Sequence, residues 1–186
     1  MEWMPALRIG WLNGWLAVAL LGLTEGLAFM LLPKEVVARL FDRSGWSKTQ
    51  AAFTVLGKMC ALGCLILLVL TPLKTGAPVF WLGAMLVAAA LAGLVKAIAD
   101  FAGTPLDEPV TRGIYALSRH PQVVFSSLVL LGACIAVGSW LSTGLLLLAR
   151  ALAHLGILAE EEVCANRYGE PYRAYMKRIP RYFLFF

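Results

Sequence analysis

An all-α, polytopic membrane protein is the fold class that the sequence predicts, and composition, run length and charge placement predict it. The 186 residues are 60% hydrophobic and only 15% charged, at a mean hydropathy of +0.78, whereas soluble domains carry about 25% charged residues. Apolar runs at 9–32, 51–70, 78–98, 122–137 and 141–159 reach or approach the roughly 20 residues that one bilayer crossing needs. Basic residues gather in alternate loops, as the positive-inside rule expects of a multi-span chain. The whole chain, 1–186, reads as a single domain of about five transmembrane helices with a helical tail.

The first run is read as an uncleaved span. Glu2 and Pro5 precede it, no basic region leads it, and it is too long for a signal-peptide core. The connector 34–50 reads as amphipathic, with Val36, Val37, Leu40 and Phe41 on the membrane interface and Lys34, Arg39, Arg43 and Lys48 toward water. Runs two and three follow with little polar material between them. The loop 100–117 is punctuated by Gly103, Pro105, Pro109 and Gly113. Pro121 suits a first helical turn, so the fourth span starts there. Gly138, Ser139 and Trp140 are too few for anything but a tight hairpin into the fifth span. Beyond Ala159 the chain turns charged, keeps a helical pattern through Tyr175 and stops at Pro180.

Charge sets the expected orientation. The loop after the first span, the segment before the fourth (Lys96, Arg112, Arg119) and the tail (Arg167, Arg173, Lys177, Arg178, Arg181) are basic, while the other side has Arg8 and Lys74. This places the tail in the cytoplasm and the N-terminus outside, in what reads as a prokaryotic inner membrane. The net charge of +5 is then a signature of an anionic leaflet and not of nucleic acid. Cys60, Cys64, Cys134 and Cys164 show no metal-type spacing and read as small packing residues, and no metal is expected.

Polar residues inside apolar sequence mark the candidate site. Arg119 and His120 stand before the first turn of the fourth span, whose free N–H groups attract anions; a lipid-phosphate anchor is the alternative reading. Arg150, His154 and Glu161 fall within about 40° of one another on one helix face. Arg150 is near mid-span, where a charge marks either a functional site or an internal ion pair, for which Glu25 in the first span is the candidate partner. Glu160, Glu161 and Glu162 oppose the macrodipole at a helix C-terminal end, so cations are expected beside them.

The segment "GIYALSRHPQ", a helical hairpin and "EEEVCANRYGEPYRAYMKRIP" together resemble the C-terminal half of the isoprenylcysteine carboxyl methyltransferase and phospholipid N-methyltransferase superfamily. The matching positions are Gly113, Tyr115, Arg119, His120 and Pro121, then Glu160 and Glu161, then Tyr168, Gly169, Tyr172, Tyr175 and Pro180. Val123 and Phe125 depart from it, because the family often has Tyr and Gly there. The resemblance implies an integral membrane methyltransferase using S-adenosylmethionine, with its cofactor region at 112–180. Tyr115, Arg119, His120, Pro121, Glu160, Glu161, Tyr172 and Tyr175 would bind the cofactor: a glutamate for its ammonium, first-turn amides for its carboxylate, tyrosines around the adenosine. Arg150 and His154 are the candidate catalytic residues toward a lipid-like or small hydrophobic acceptor. That acceptor is an isoprenylcysteine-like carboxylate, a phospholipid amine or a thiol. Two rival classes are a nicotinamide-dependent sterol-reductase-like enzyme, echoed by Cys164, Tyr168 and Gly169, and a haem protein with His120 and His154 as axial ligands.

Overall fold

A computed structural model describes residues 1–40 and 46–184; Phe41 and Arg43 of the expected amphipathic connector lie outside the described residues. The chain folds into α1 (Trp15–Leu31), α2 (Lys34–Leu40), α3 (Lys48–Leu70), α4 (Pro78–Ala102), α5 (Pro121–Val137), α6 (Trp140–Tyr168) and α7 (Glu170–Arg178), with a 3-10 turn at Gly113–Ala116 before α5. Among the described residues there is no β-strand, only two isolated bridges. Helices α3, α4 and α6 are each long and apolar enough to cross a membrane. Helices α1 and α5 are apolar but have 17 residues each, a length of about 25 Å.

Local chemistry sets the boundaries. Ser47 caps α3 in a capping box with Gln50, each side chain accepting the other's backbone N–H. Pro78 and Pro121 open α4 and α5 at positions that need no N–H donor. Gly138 ends α5 in the left-handed region (φ 69°), and the Ser139 side chain then accepts from Ser142 N to start α6. The expected hairpin of Gly138, Ser139 and Trp140 is therefore present.

Three expected boundaries move. The first helix starts at Trp15 and not near residue 9. Asn13 donates from Nδ2 to the carbonyls of Arg8 (2.7 Å) and Val69 (3.0 Å), and Gly14 lies so close to Leu68 that a Cβ would meet its carbonyl oxygen at 2.7 Å. Residues 1–14 thus form a strap across one end of the bundle. It pairs Glu2 with Gly138 and Trp140, Arg8 with Leu70, and Leu12 with Leu73 through backbone hydrogen bonds. Helix α4 continues past Ile98 to Ala102, with a Lys96–Asp100 ion pair on its last turns. The fifth apolar run continues as one helix to Tyr168, and Gly169 (φ 66°) breaks the pattern that was expected to run unbroken to Tyr175.

Packing pairs α4 with α5 and α3 with α6. Glycine permits the first contact: a Cβ on Gly83 would fall 2.6 Å from Ala136 N, and one on Gly132 2.8 Å from Gly83 O. Leu68, Leu94, Val129 and Leu146 fill the fully buried centre, while Leu23, Met59, Leu82 and Met85 face outward, as lipid-facing side chains would. The strap and hairpin occupy one end of the bundle. The start of α5, the projecting end of α6, and α7 occupy the other, the tail end.

Candidate functional site

At the tail end, α6 outruns a membrane. Its 29 residues extend about 43 Å against a hydrocarbon core of about 30 Å, so the turns after Ala159, where charge begins, project beyond it. Those turns, the start of α5, α2 and α7 enclose a cavity of about 250 Å³. Of the eight expected cofactor residues, Tyr115, Arg119, His120, Glu160, Tyr172 and Tyr175 line it. Pro121 is buried in the first turn of α5 behind that wall.

Glu161 sits behind the lining as the hub of a charge cluster. It is 2% exposed and receives Arg181 on both oxygens, Nε to Oε1 at 3.0 Å and Nη2 to Oε2 at 2.8 Å. His120 Nε2 lies 3.2 Å from Oε1. Arg119 Nε is 3.3 Å from the same oxygen, but it is misaligned and has no hydrogen bond although buried. Arg119 and Arg181 are the cations that three adjacent glutamates call for. Burial alone would raise the Glu161 carboxyl; the hydrogen bonds from His120 and Arg181 and the charge of Arg119 outweigh it and hold it down to about 2. Glu160 lines the cavity itself, 3.9 Å from His120 Nδ1.

The tail locks onto α5. Arg119 N donates to Pro180 O (3.0 Å) and His120 N to Arg181 O (3.3 Å), while Ser118 Oγ donates to Arg181 O (2.8 Å). The next two amides, of Gln122 and Val123, make no hydrogen bond among the described residues, and both residues line the cavity. Tyr175 donates to the carbonyl of Tyr115 at 2.7 Å, and Tyr115 accepts from Gln122 Nε2 at 2.9 Å. Burial raises the phenols of Tyr115, Tyr172 and Tyr175, which stay neutral donors. Tyr168, Tyr172 and Tyr175 form a row with centroids 6.4 and 5.7 Å apart.

Arg150 and His154 lie elsewhere. Neither lines the cavity. His154 Nδ1 is 2.8 Å from the hydroxyl of Tyr182, whose ring also lies 6.4 Å from that of His120. A haem spanning the two imidazoles would have to displace Tyr182. No ion pair joins Arg150 to Glu25 among the described residues, and Arg150 Nε is buried without a hydrogen-bond partner.

Sequence reasoning missed three site residues. Arg181 was counted only as tail charge and Tyr182 not at all, because their partners lie 20 and 28 residues away across a proline. Arg39 clasps α2 over the cavity: Nη1 donates to Pro105 O (3.1 Å), Nη2 to Glu108 O (2.6 Å), and the guanidinium stacks on Phe101 and Tyr168 at 5.1 and 5.6 Å. The departures from the family pattern are also placed: Val123 lines the cavity, and Phe125 lies over Gly93, edge-on to Phe183 at 5.6 Å.

A family model described as phospholipid methyltransferase matches residues 72–171, more than half of the chain. No curated protein and no solved structure matches it.

Proposed function

The chain belongs to the phospholipid methyltransferase family, whose members are integral membrane methyltransferases of lipid-related substrates, and from that premise we propose S-adenosylmethionine-dependent methyl transfer to a lipophilic or small membrane-accessible acceptor. The observation that carries this is the tail-end cavity. It brings one glutamate, one under-bonded buried arginine, two open backbone amides and a tyrosine row around a single space.

Those groups fit the cofactor's parts. Glu160 offers a carboxylate to an ammonium. Arg119 and the amides of Gln122 and Val123 offer donors to a carboxylate, at a helix start that Pro121 fixes. Tyr115, Tyr172 and Tyr175 supply the aromatic walls for a nucleoside. Glu161, saturated by cations, serves as the brace that keeps Arg119 and His120 in place. S-adenosylmethionine, when bound, supplies a methyl group activated by its sulfonium. For the chain, the task is alignment and exclusion of water: Arg39 holds α2 across the cavity, and the tail closes the side toward the bundle. Arg150 and His154 lie on the membrane stretch of α6 behind Tyr182, away from the cavity lining, and have no part in cofactor binding in this reading. In this reading residues 1–186 are one five-span domain with the cavity on the cytoplasmic side.

Calorimetry with S-adenosylhomocysteine on detergent-solubilised protein tests the reading. The wild type is expected to bind, and Glu160→Gln to bind about 10- to 100-fold more weakly, equivalent to about 1.5–3 kcal/mol for a hydrogen bond to a charged group. Absence of binding by the folded wild type overturns the reading; wild-type affinity in Glu160→Gln removes that residue from the ammonium site.

A further inference from the structure

Two of the four cysteines meet, and they meet on a seam. Cys64 of α3 and Cys134 of α5 are 70 residues apart in sequence, yet their sulfurs lie 3.9 Å apart. Both are free thiols and fully buried. Packing pairs α3 with α6 and α4 with α5, and α3 touches α5 only lightly. The thiols therefore stand where one helix pair faces the other. Cys64 is six residues from the end of α3 and Cys134 three from the end of α5, about 9 and 5 Å along their axes. About one turn further along the same two helices lies the strap. A Cβ on Gly14 would meet Leu68 O at 2.7 Å and Val137 Cγ1 at 3.0 Å. Strap and thiols thus close one seam at successive levels. At the tail end the cavity is walled by both helix pairs, with Phe101 of α4 and His120 before α5 on one part and Glu160 of α6 on another.

We propose that Cys64 and Cys134 are a disulfide site, at which a small neutral peroxide crosslinks the α3–α6 pair to the α4–α5 pair beneath the strap. A disulfide holds its sulfurs about 2.05 Å apart, so these two must approach by about 1.9 Å. A change of one χ1 rotamer swings a thiol sulfur by about 3 Å, which is enough. One sulfur attacks an oxygen of hydrogen peroxide and breaks the O–O bond, giving a sulfenic acid and one water. The second sulfur attacks the first, and the sulfenic oxygen leaves with the remaining thiol proton as a second water. The sulfurs lose two electrons and the peroxide takes them. Because neither thiol meets solvent, bulky or charged thiol oxidants are kept out. On the orientation read from charge, the strap end faces outside, where disulfides persist. The proposal goes beyond methyl transfer and does not depend on it.

The test treats the full-length, reduced protein in detergent with hydrogen peroxide, then denatures it, blocks remaining thiols with iodoacetamide and maps its peptides by mass spectrometry. Thermal unfolding is measured before and after. A single linkage within one chain, Cys64 to Cys134, is expected, leaving two of the four thiols. Closing so long a loop is expected to raise the unfolding midpoint by about 5 °C or more, and a phosphine reductant to reverse the rise. Cys134→Ala, treated alike, is expected to lose both linkage and rise, which also controls for oxidation of other side chains; Cys60→Ala is expected to keep both. Oxidised thiols without that linkage, a linkage through Cys60 or Cys164 in its place, or a crosslinked protein with an unchanged or lower midpoint overturns the proposal. Should Cys134→Ala fail to fold, the wild-type peptide map and the reversible midpoint shift decide it.

Discussion

Glu161 is contacted by Arg119, His120 and Arg181 whereas Glu160 lines the cavity, and this separates two adjacent carboxylates into different tasks. Glu161→Gln leaves Arg181 and Arg119 without their anion, the situation in which breaking a buried pair costs about 3 kcal/mol or more. We expect a lower unfolding midpoint for Glu161→Gln in detergent and a smaller drop for the more exposed Glu160→Gln. The same variant tests the acid limb. The Glu161 carboxyl falls from its ordinary 4.5 to about 2 on folding, so its contribution is complete above about pH 4.5 and is lost as pH falls toward about 2. Wild type should lose more stability across that window than Glu161→Gln, which keeps the acid-sensitive Glu2 and Asp100 pairs; parallel acid profiles would refute the hub. In the sequence, the glutamates announce nearby cations and Pro121 announces a helix start with Arg119 and His120 in front of it. Which glutamate faces the cavity was not legible, because side-chain direction on adjacent residues depends on the packed tail.

Helix packing carries a second expectation. A Cβ at Gly83 would sit 2.6 Å from Ala136 N and 2.8 Å from Ala136 Cβ, whereas one at Gly22 meets nothing within 4 Å. Gly83→Ala should destabilise by about 1–3 kcal/mol through overpacking of α4 on α5, and Gly22→Ala should be neutral or slightly stabilising. Thermal unfolding of the two variants checks this, and equal midpoints would mean that α4 and α5 can part without cost. The five helices behind the expected spans were legible because apolar runs and prolines are local signals. The strap was not. Hydropathy counts Ile9, Trp11 and Leu12 as membrane residues, although Gly10, Asn13 and Gly14 interrupt the run and side-chain hydrogen bonds from Asn13 hold it out of helix. The charged extension of α6 was legible as a helical pattern beyond Ala159, but the break at Gly169 was not, because the same pattern resumes in α7.

Across the whole molecule, the described tryptophans other than Trp46 and the tyrosines sort by end. Trp3, Trp11, Trp15, Trp81 and Trp140 belong to the strap and hairpin end, while Tyr115, Tyr168, Tyr172, Tyr175 and Tyr182 belong to the tail end. Tryptophan favours the membrane interface, and Trp3, Trp11, Trp81 and Trp140 are exposed. Most loop and tail arginines and lysines lie at the tail end, with Arg8 and Lys74 opposite. Epitopes placed at residue 1 and at residue 186 should therefore be reached by antibody from opposite faces of sealed vesicles, the latter from the cytoplasmic face. Labelling of both from one face would mean an even number of crossings and would displace the five-span reading.

The strap also constrains biogenesis. Glu2 and Trp3 bond to Gly138, Trp140 and Leu141, partners that leave the ribosome about 135 residues later. At about 5–20 residues per second, the peptide groups of residues 2 and 3 wait on the order of ten seconds before their hydrogen bonds can form. During that interval α1 can enter the bilayer with its leading segment still hydrated. Only the arrival of the α5–α6 turn fastens it, so closure of the strap reports that the last hairpin has been threaded.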